Sequence, residues 1–464
     1  MKYRIYLFVF SIFALIHGVV LIAQPLEANA KGISMIRDAE IENTIRAYAT
    51  PLLQAAGLEP SSIRIHIVND NTLNAFVAGG QQLFINTGLI MKSKNAGQII
   101  GVLAHEIGHI AGGHLIKAAQ ARKDVSAAVM LGYLLGGAAI IAGRPDAGAA
   151  AMQLGTNIGI KNYLSFSRTQ ESSADRAAMR FLDRTGQSAQ GLMEFLEVLE
   201  DQELLSARNQ DPYVRTHPLT RERVDSIRHH LEKSRFADKP ISASDRTSHA
   251  RMKAKLFGFT QTLSRTLQAY PERPENKETL DGLYAQSIAF YRKPNIPKAI
   301  GLIDKLIAKL PKDPYFHELK GQIYFENGKI DLALPSYQMS VDLLPQSGLL
   351  KAQLAHAQIE KAQAENNNPA LLNKAIENLQ FAADKDTRRP FVWRQLGIAY
   401  GRMGKMGKSS RALAEEAILR GRFRDAIGIA ERAKKQLKRG TPNWLRAEDI
   451  ITTARENMRL KKNR

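Results

Sequence analysis

The order of apolar and polar positions predicts a mainly helical chain: an α+β body first, then an all-helical one. Between Ile36 and Ala56 the apolar residues Ile41, Ile45, Tyr48, Leu52 and Leu53 recur at helical spacing, and the run ends at Gly57. Ile63 to Val68 alternates and is rich in branched side chains, which predicts a strand closed by Asn69-Asp70-Asn71. Leu73 to Ala78 and Leu83 to Ile90 predict two more strands around Gly79-Gly80. Asn95 to Arg122 reads as one long helix, with Ile99, Leu103, Ile107 and Ile110 along one side. Further helices are expected at about 168–185, 188–204 and 220–231. The small and apolar run from Ala127 to Gly143 fits a buried helical hairpin, or a lid or membrane-touching segment beside the site.

After a polar connector over about 232–277, built around a helix near 247–269, a repeat of about 34 residues begins. Gly321, Tyr324, Gly328, Ala333, Tyr337 and Pro345 lie at the spacings of a tetratricopeptide unit. A preceding unit places Phe290, Ala299 and Pro311 in register. Later units show Trp393, Leu396, Gly397, Tyr400 and Gly404, and then Gly421, Ala426, Ala430 and Ala433. Around Asn366-Asn367-Asn368-Pro369 an insertion breaks the register. Such a solenoid offers a binding surface and no chemistry of its own.

Composition narrows the chemistry. The 464 residues contain no cysteine, which excludes thiol catalysis, disulfides, cysteine-based metal sites and a lipid-anchoring cysteine. Any metal must be held by His and carboxylates. At the start, Lys2 and Arg4 precede an apolar stretch from Ile5 to Ala23, and Ala28-Asn29-Ala30 fits a cleavage site. Residues 1–30 therefore read as a cleavable secretory signal, or as an uncleaved membrane anchor, and either way the body is exported. The body divides at 31–245 and 246–464, with net charges of +1 and +18 out of the chain's +20. An exported chain makes nucleic acid an unsuitable partner. The basic repeat half fits an anionic membrane surface, lipopolysaccharide or an acidic protein instead.

The candidate chemistry lies at His105-Glu106-Ile107-Gly108-His109. Two imidazoles at i and i+4 stack on one helix face and can reach one ion, while Glu106 can take a proton from water beside it. Zn²⁺ suits two His, a carboxylate and an open position. His114 falls one residue short of the third ligand of the metzincin pattern and reads as structural or solvent-facing. Glu171 and Asp175, again i and i+4 near the start of a later helix, offer a metal ligand and an acceptor for the second ring N–H of a ligand His. His217, in Arg215-Thr216-His217-Pro218, taken alone reads as a loop residue before a helix.

Asn74-Ala75-Phe76, the glycine pair, Asn86-Thr87-Gly88-Leu89, the HEIGH motif and the Glu171…Asp175 helix follow one another as in the M48 family of zinc metallopeptidases, which this half resembles. The resemblance implies a zincin-type domain with a small sheet and a tetratricopeptide solenoid after it. It implies one zinc ion on His105, His109 and Glu171, Glu106 as general base, and Asp175 orienting a ligand His. Leu83 to Ile90 resembles the edge strand that takes up extended substrate. In a periplasmic subgroup the residue matching His217 fills the open metal position, which implies a regulatory fourth ligand. The implied activity is zinc endopeptidase action on misfolded or stalled outer-membrane barrel proteins, with a chaperone-like assembly role for the repeats. Implied partners are unfolded or misassembled envelope proteins and the outer-membrane assembly machinery, and the implied location is the periplasm, peripheral at a membrane. The rival reading is a repeat-based scaffold whose metal site is idle, against which the intact Glu106 weighs.

Overall fold

The computed structural model describes residues 34–79, 81–118, 120–121, 130, 145–203, 213 and 216–462. The expected signal segment, and the 127–143 run apart from Met130, lie outside them.

Helix α1 (Ala39–Ala55) starts where the Asp38 side chain accepts the Ile41 N–H, with Glu40 and Glu42 placed against the positive end of its dipole. It buries Ile41, Ile45, Tyr48, Leu52 and Leu53, as their spacing predicted. Beside it lies a four-stranded sheet of β1 (Met35–Ile36), β2 (Arg64–Val68), β3 (Ala75–Ala78) and β4 (Gln82–Asn86), ordered β1-β2-β4-β3. The β2–β4 pair is parallel and the other two pairs are antiparallel. Two expectations are corrected here. The strand expected over Leu83–Ile90 stops at Asn86, and Thr87–Lys92 forms α2, burying Leu89 and Ile90. A short apolar run carries no period that separates strand from buried helix. Second, β4 is flanked on both sides, so the edge nearest the active-site helix belongs to β3.

Helix α3 (Ala96–Ala111) is capped by Asn95 and stops well before Arg122. Gly112 follows, and Gly113 takes φ 62°, a left-handed conformation that ends the helix; residues 114–118 then start a new helical stretch. Helix α4 (Pro145–Arg184) begins far earlier than the expected 168, so Glu171 and Asp175 lie deep within it rather than near its start. Helices α5 (Gln190–Glu203) and α6 (Arg221–Lys233, capped by Thr220) complete the body. One apolar core joins α1, the sheet and α2–α6.

Helix α7 (Ala243–Thr260) spans the 245/246 division and packs on both bodies, followed by α8 (Leu263–Ala269). Five helical hairpins then stack: α9/α10 (Leu280–Arg292, Ile296–Lys309), α11/α12 (Pro314–Glu326, Ile330–Leu343), α13/α14 (Gly348–Ala364, Pro369–Lys385), α15/α16 (Pro390–Arg402, Met406–Leu419) and α17/α18 (Phe423–Gln436, Pro442–Lys462). The break in register is a longer hairpin, not a gap. Both of its helices have 17 residues, and Asn366 and Asn367 turn between them at positive φ. Gly404 and Gly421, half a repeat apart, turn at φ 71° and 70°. Helix α16 therefore closes one hairpin and opens the next.

The start of α1 inserts into the solenoid. Ala39 packs among Ala333, Tyr337 and Leu350, and Glu40 accepts the Tyr284 hydroxyl at 2.7 Å. Lys255 of α7 is buried against Asp38 at 2.7 Å, Glu40 at 3.4 Å and Glu318 at 3.7 Å. Arg251 bridges Glu40 and Asp313. Part of the second half's positive charge is thus spent holding the two bodies together. Among the described residues no helix is long and apolar enough to cross a membrane.

Candidate metal centre

Three segments deliver the site. Helix α3 supplies His105, Glu106 and His109, α4 supplies Glu171 and Asp175, and the turn before α6 supplies His217. Gly108 explains how α3 and α4 come so near: a Cβ there would lie 2.7 Å from the Ala174 carbonyl oxygen. Only a bare α-carbon lets Glu171 and Asp175 reach the imidazole pair.

One donor atom from each of His105, His109, Glu171 and His217 falls within 4.8 Å of the others. His105 Nε2 and His109 Nε2 are 3.0 Å apart, and Glu171 carboxylate oxygens stand 3.2 Å from the first and 3.4 Å from the second. His217 Nδ1 is 3.1 Å from Glu171 Oε2 and 3.4 Å from His105 Nε2. Donors about 2.0–2.1 Å from a tetrahedral zinc would be roughly 3.3 Å from one another, so this set fits that ion. Glu106 is 1% exposed, its Oε1 lies 3.6 Å from His217 Nε2 and has no hydrogen-bond partner. A buried carboxylate oxygen without a partner, aimed beside four converging donors, is what a base for the metal's water requires.

Electrostatics favour a cation in this cluster. Burial alone would raise the Glu171 carboxyl, but His217 and His105 hold it far below the usual carboxylate range. Asp175 comes down to about 2, since Arg223 and His105 outweigh its burial. His105 is pushed up to about 10 because Asp175 and Glu171 outweigh its burial. The carboxylates that would keep a proton on that ring equally favour a metal ion beside it. Burial raises Glu106, toward the range of a base that must also release its proton.

Two residues of this site carry no sequence signal. Arg223, buried in the first turn of α6, donates to both Asp175 oxygens and to the Pro218 carbonyl, and its Nη1 lies 3.2 Å from Glu171 Oε2. Tyr213 is buried and stacks on His217 with ring centroids 4.4 Å apart. An arginine in a first helical turn and a lone tyrosine between Pro212 and Val214 both look like surface residues in one dimension. His114, expected to be structural or solvent-facing, is buried and meets His109.

Residues 36–231 match the family profile of Peptidase family M48. The "Beta-barrel assembly-enhancing protease" of Yersinia pestis is 26% identical over 432 residues, 92% of this chain and 86% of that protein. The protein of the same name from Escherichia coli (strain K12) is 24% identical over 428 residues, 91% of this chain and 84% of that protein. Among solved structures, YrrB, described as a TPR protein with an unusual peptide-binding site, aligns over 39% of this chain and 91% of its own at 15% identity and a TM-score of 0.32. The first body is a metallopeptidase domain of family M48, and the chain is a metalloendopeptidase.

Proposed function

We propose that this M48 metalloendopeptidase binds one zinc ion on His105, His109 and Glu171, works outside the inner membrane, and cleaves misfolded or stalled envelope proteins, outer-membrane barrel proteins among them. The observation that carries the reading is the convergence of those three side chains beside Glu106 in one buried cluster. The class of client rests on the relatives' printed name and on their match across both bodies. Export rests on the signal-like residues 1–30.

Zinc held there would polarise the scissile carbonyl and the attacking water. Glu106 takes the water proton and passes it to the leaving amine. Burial raises this carboxyl's affinity for a proton, which favours its taking one from the water. Asp175 accepts His105 Nδ1–H at 2.8 Å, which leaves Nε2 free to face the ion. The outer edge of β3 supports an extended substrate through backbone hydrogen bonds, which require little sequence preference. His217 stands in the position water would take, 3.6 Å from Glu106 Oε1 and stacked on Tyr213, so the geometry favours a resting state that substrate must open. The solenoid would then select clients or dock on the assembly machinery, assisting assembly as well as disposal.

The test compares the wild-type chain with Glu106→Gln. Loss of cleavage of an unfolded barrel protein with zinc content intact supports the reading. Cleavage surviving in Glu106→Gln overturns it.

A further inference from the structure

We propose that His114 is a positioning residue for the metal centre: it accepts the Nδ1–H of His109 and so presents His109 Nε2 to the ion. The proposal rests on the reading of His109 as a metal ligand.

Histidine ligands of metals nearly always donate their second ring N–H to a partner that fixes tautomer and ring orientation. For His105 that partner is Asp175. For His109 the atom in place is His114 Nδ1, 2.9 Å from His109 Nδ1, with the rings edge-to-face at 81° and 4.9 Å between centroids. A ring that gives Nε2 to the ion carries its proton on Nδ1, so His109 donates and His114 accepts, with the His114 proton on Nε2.

The backbone around His114 is shaped for this contact. In an unbroken helix, position 114 would stand about 140° around the axis from 109 and could not reach its ring. The left-handed turn at Gly113 breaks the helix and swings residue 114 back over α3. A Cβ on Gly112 would lie 2.2 Å from His114 Nε2, so the ring occupies the space a side chain there would fill. His114 is 5% exposed in consequence, although Ala111 before it and Ile116 and Lys117 after it are exposed. The pattern Gly112-Gly113-His114 thus makes sense as a unit that delivers an acceptor to the second ligand.

The two imidazoles are backed by unlike partners: an ionised carboxylate locked to Arg223 behind His105, a second imidazole behind His109. The second is the weaker acceptor, so its removal should weaken the metal without emptying the site.

The experiment measures zinc affinity of the full chain by competition with a chromophoric chelator, for the wild type, His114→Leu, His114→Asn and His109→Ala. Circular dichroism and melting of the zinc-stripped proteins check that each folds. His114→Leu is expected to bind zinc about 10- to 100-fold more weakly. His114→Asn, whose Oδ1 can stand where Nδ1 stood, is expected to recover most of that loss. Unchanged affinity in His114→Leu overturns the proposal. Equal losses in Leu and Asn, with both folded, overturn it too, because the side chain would then act by packing alone. His109→Ala isolates the premise: full zinc binding there refutes His109 as a ligand, whereas its loss beside an unaffected His114→Leu refutes only the role of His114.

Discussion

Arg223 meets Asp175 through two hydrogen bonds, Nε–H to Oδ2 at 2.6 Å and Nη2–H to Oδ1 at 3.0 Å, with both side chains about 1% exposed. Asp175 therefore remains ionised while it holds His105, and the same guanidinium ties the Pro218 carbonyl of the His217 turn to the ligand helix. Arg223→Gln leaves a buried carboxylate uncompensated, which costs about 3–5 kcal/mol. Zinc affinity should fall as well, by about 10- to 100-fold, because His105 loses a fixed acceptor. Adding Asp175→Asn should recover part of the stability and none of the affinity. Additive destabilisation in urea titrations would show that the two groups do not act as a pair.

The strongly periodic parts of this architecture were legible from sequence alone. Periodicity located α1, α5 and α6 closely, and the 34-residue spacing found the solenoid hairpins on either side of Asn366. The i, i+4 rule put His105 with His109 and Glu171 with Asp175 before any coordinates. What stayed hidden depends on contacts between distant segments. The register α3 takes against α4 depends on Gly108 meeting Ala174, and neither residue advertises the other. Arg223 looked like one more surface arginine because its partners are 48 and 52 positions away. The edge position went to β3 rather than β4 because strand order is a property of pairing, and the crossover that makes β2 and β4 parallel leaves no local mark.

His217→Ala should raise the rate at which the chain hydrolyses an unfolded protein, with zinc content unchanged. The imidazole stands 3.1 Å from Glu171 Oε2 and 3.6 Å from Glu106 Oε1, so it competes with water for the metal and for the base together. Its removal clears both positions. The Tyr213 ring loses its stacking partner with it, while the backbone N–H of residue 217 keeps its bond to the Tyr213 carbonyl at 2.8 Å. A several-fold rate increase in a discontinuous gel assay is the expected result. An unchanged or lower rate with intact zinc would show that His217 serves the reaction rather than restraining it.

The positive surplus should bind an anionic surface only at low salt. Arg424 and Lys435, spaced three turns apart on α17, are exposed, as are Lys438 and Arg439 just beyond its end. Each cation near a charged membrane contributes about 1 kcal/mol. Replacing all four with Gln should lower partition onto vesicles of anionic lipid by on the order of 10³-fold at low ionic strength. Sedimentation with vesicles at about 50 mM and about 500 mM salt checks this, because screening within a Debye length removes the effect at the higher value. Binding that survives high salt in both proteins would assign the contact to apolar groups.

The contact between the two bodies should loosen as pH rises through neutrality. Glu318 lies buried on α11, and burial lifts its carboxyl from 4.5 to about 7 against the pull of Lys255, with Asp38 and Glu40 adding to the rise. Lys255 comes from α7 and the two acids from the start of α1, while Gln353 of α13 donates to Oε1 and Tyr337 of α12 stands nearby. Oε2 has no partner. A carboxyl whose folded pKa exceeds its unfolded one binds its proton more tightly in the native state, so unfolding free energy falls as pH rises from 4.5 to 7. Glu318→Gln cannot ionise and escapes that penalty. Its stability relative to wild type should therefore increase between pH 5 and pH 8, by about 1–3 kcal/mol in urea titrations. A difference that does not change with pH would mean that Glu318 stays ionised in the native interface, held there by Lys255.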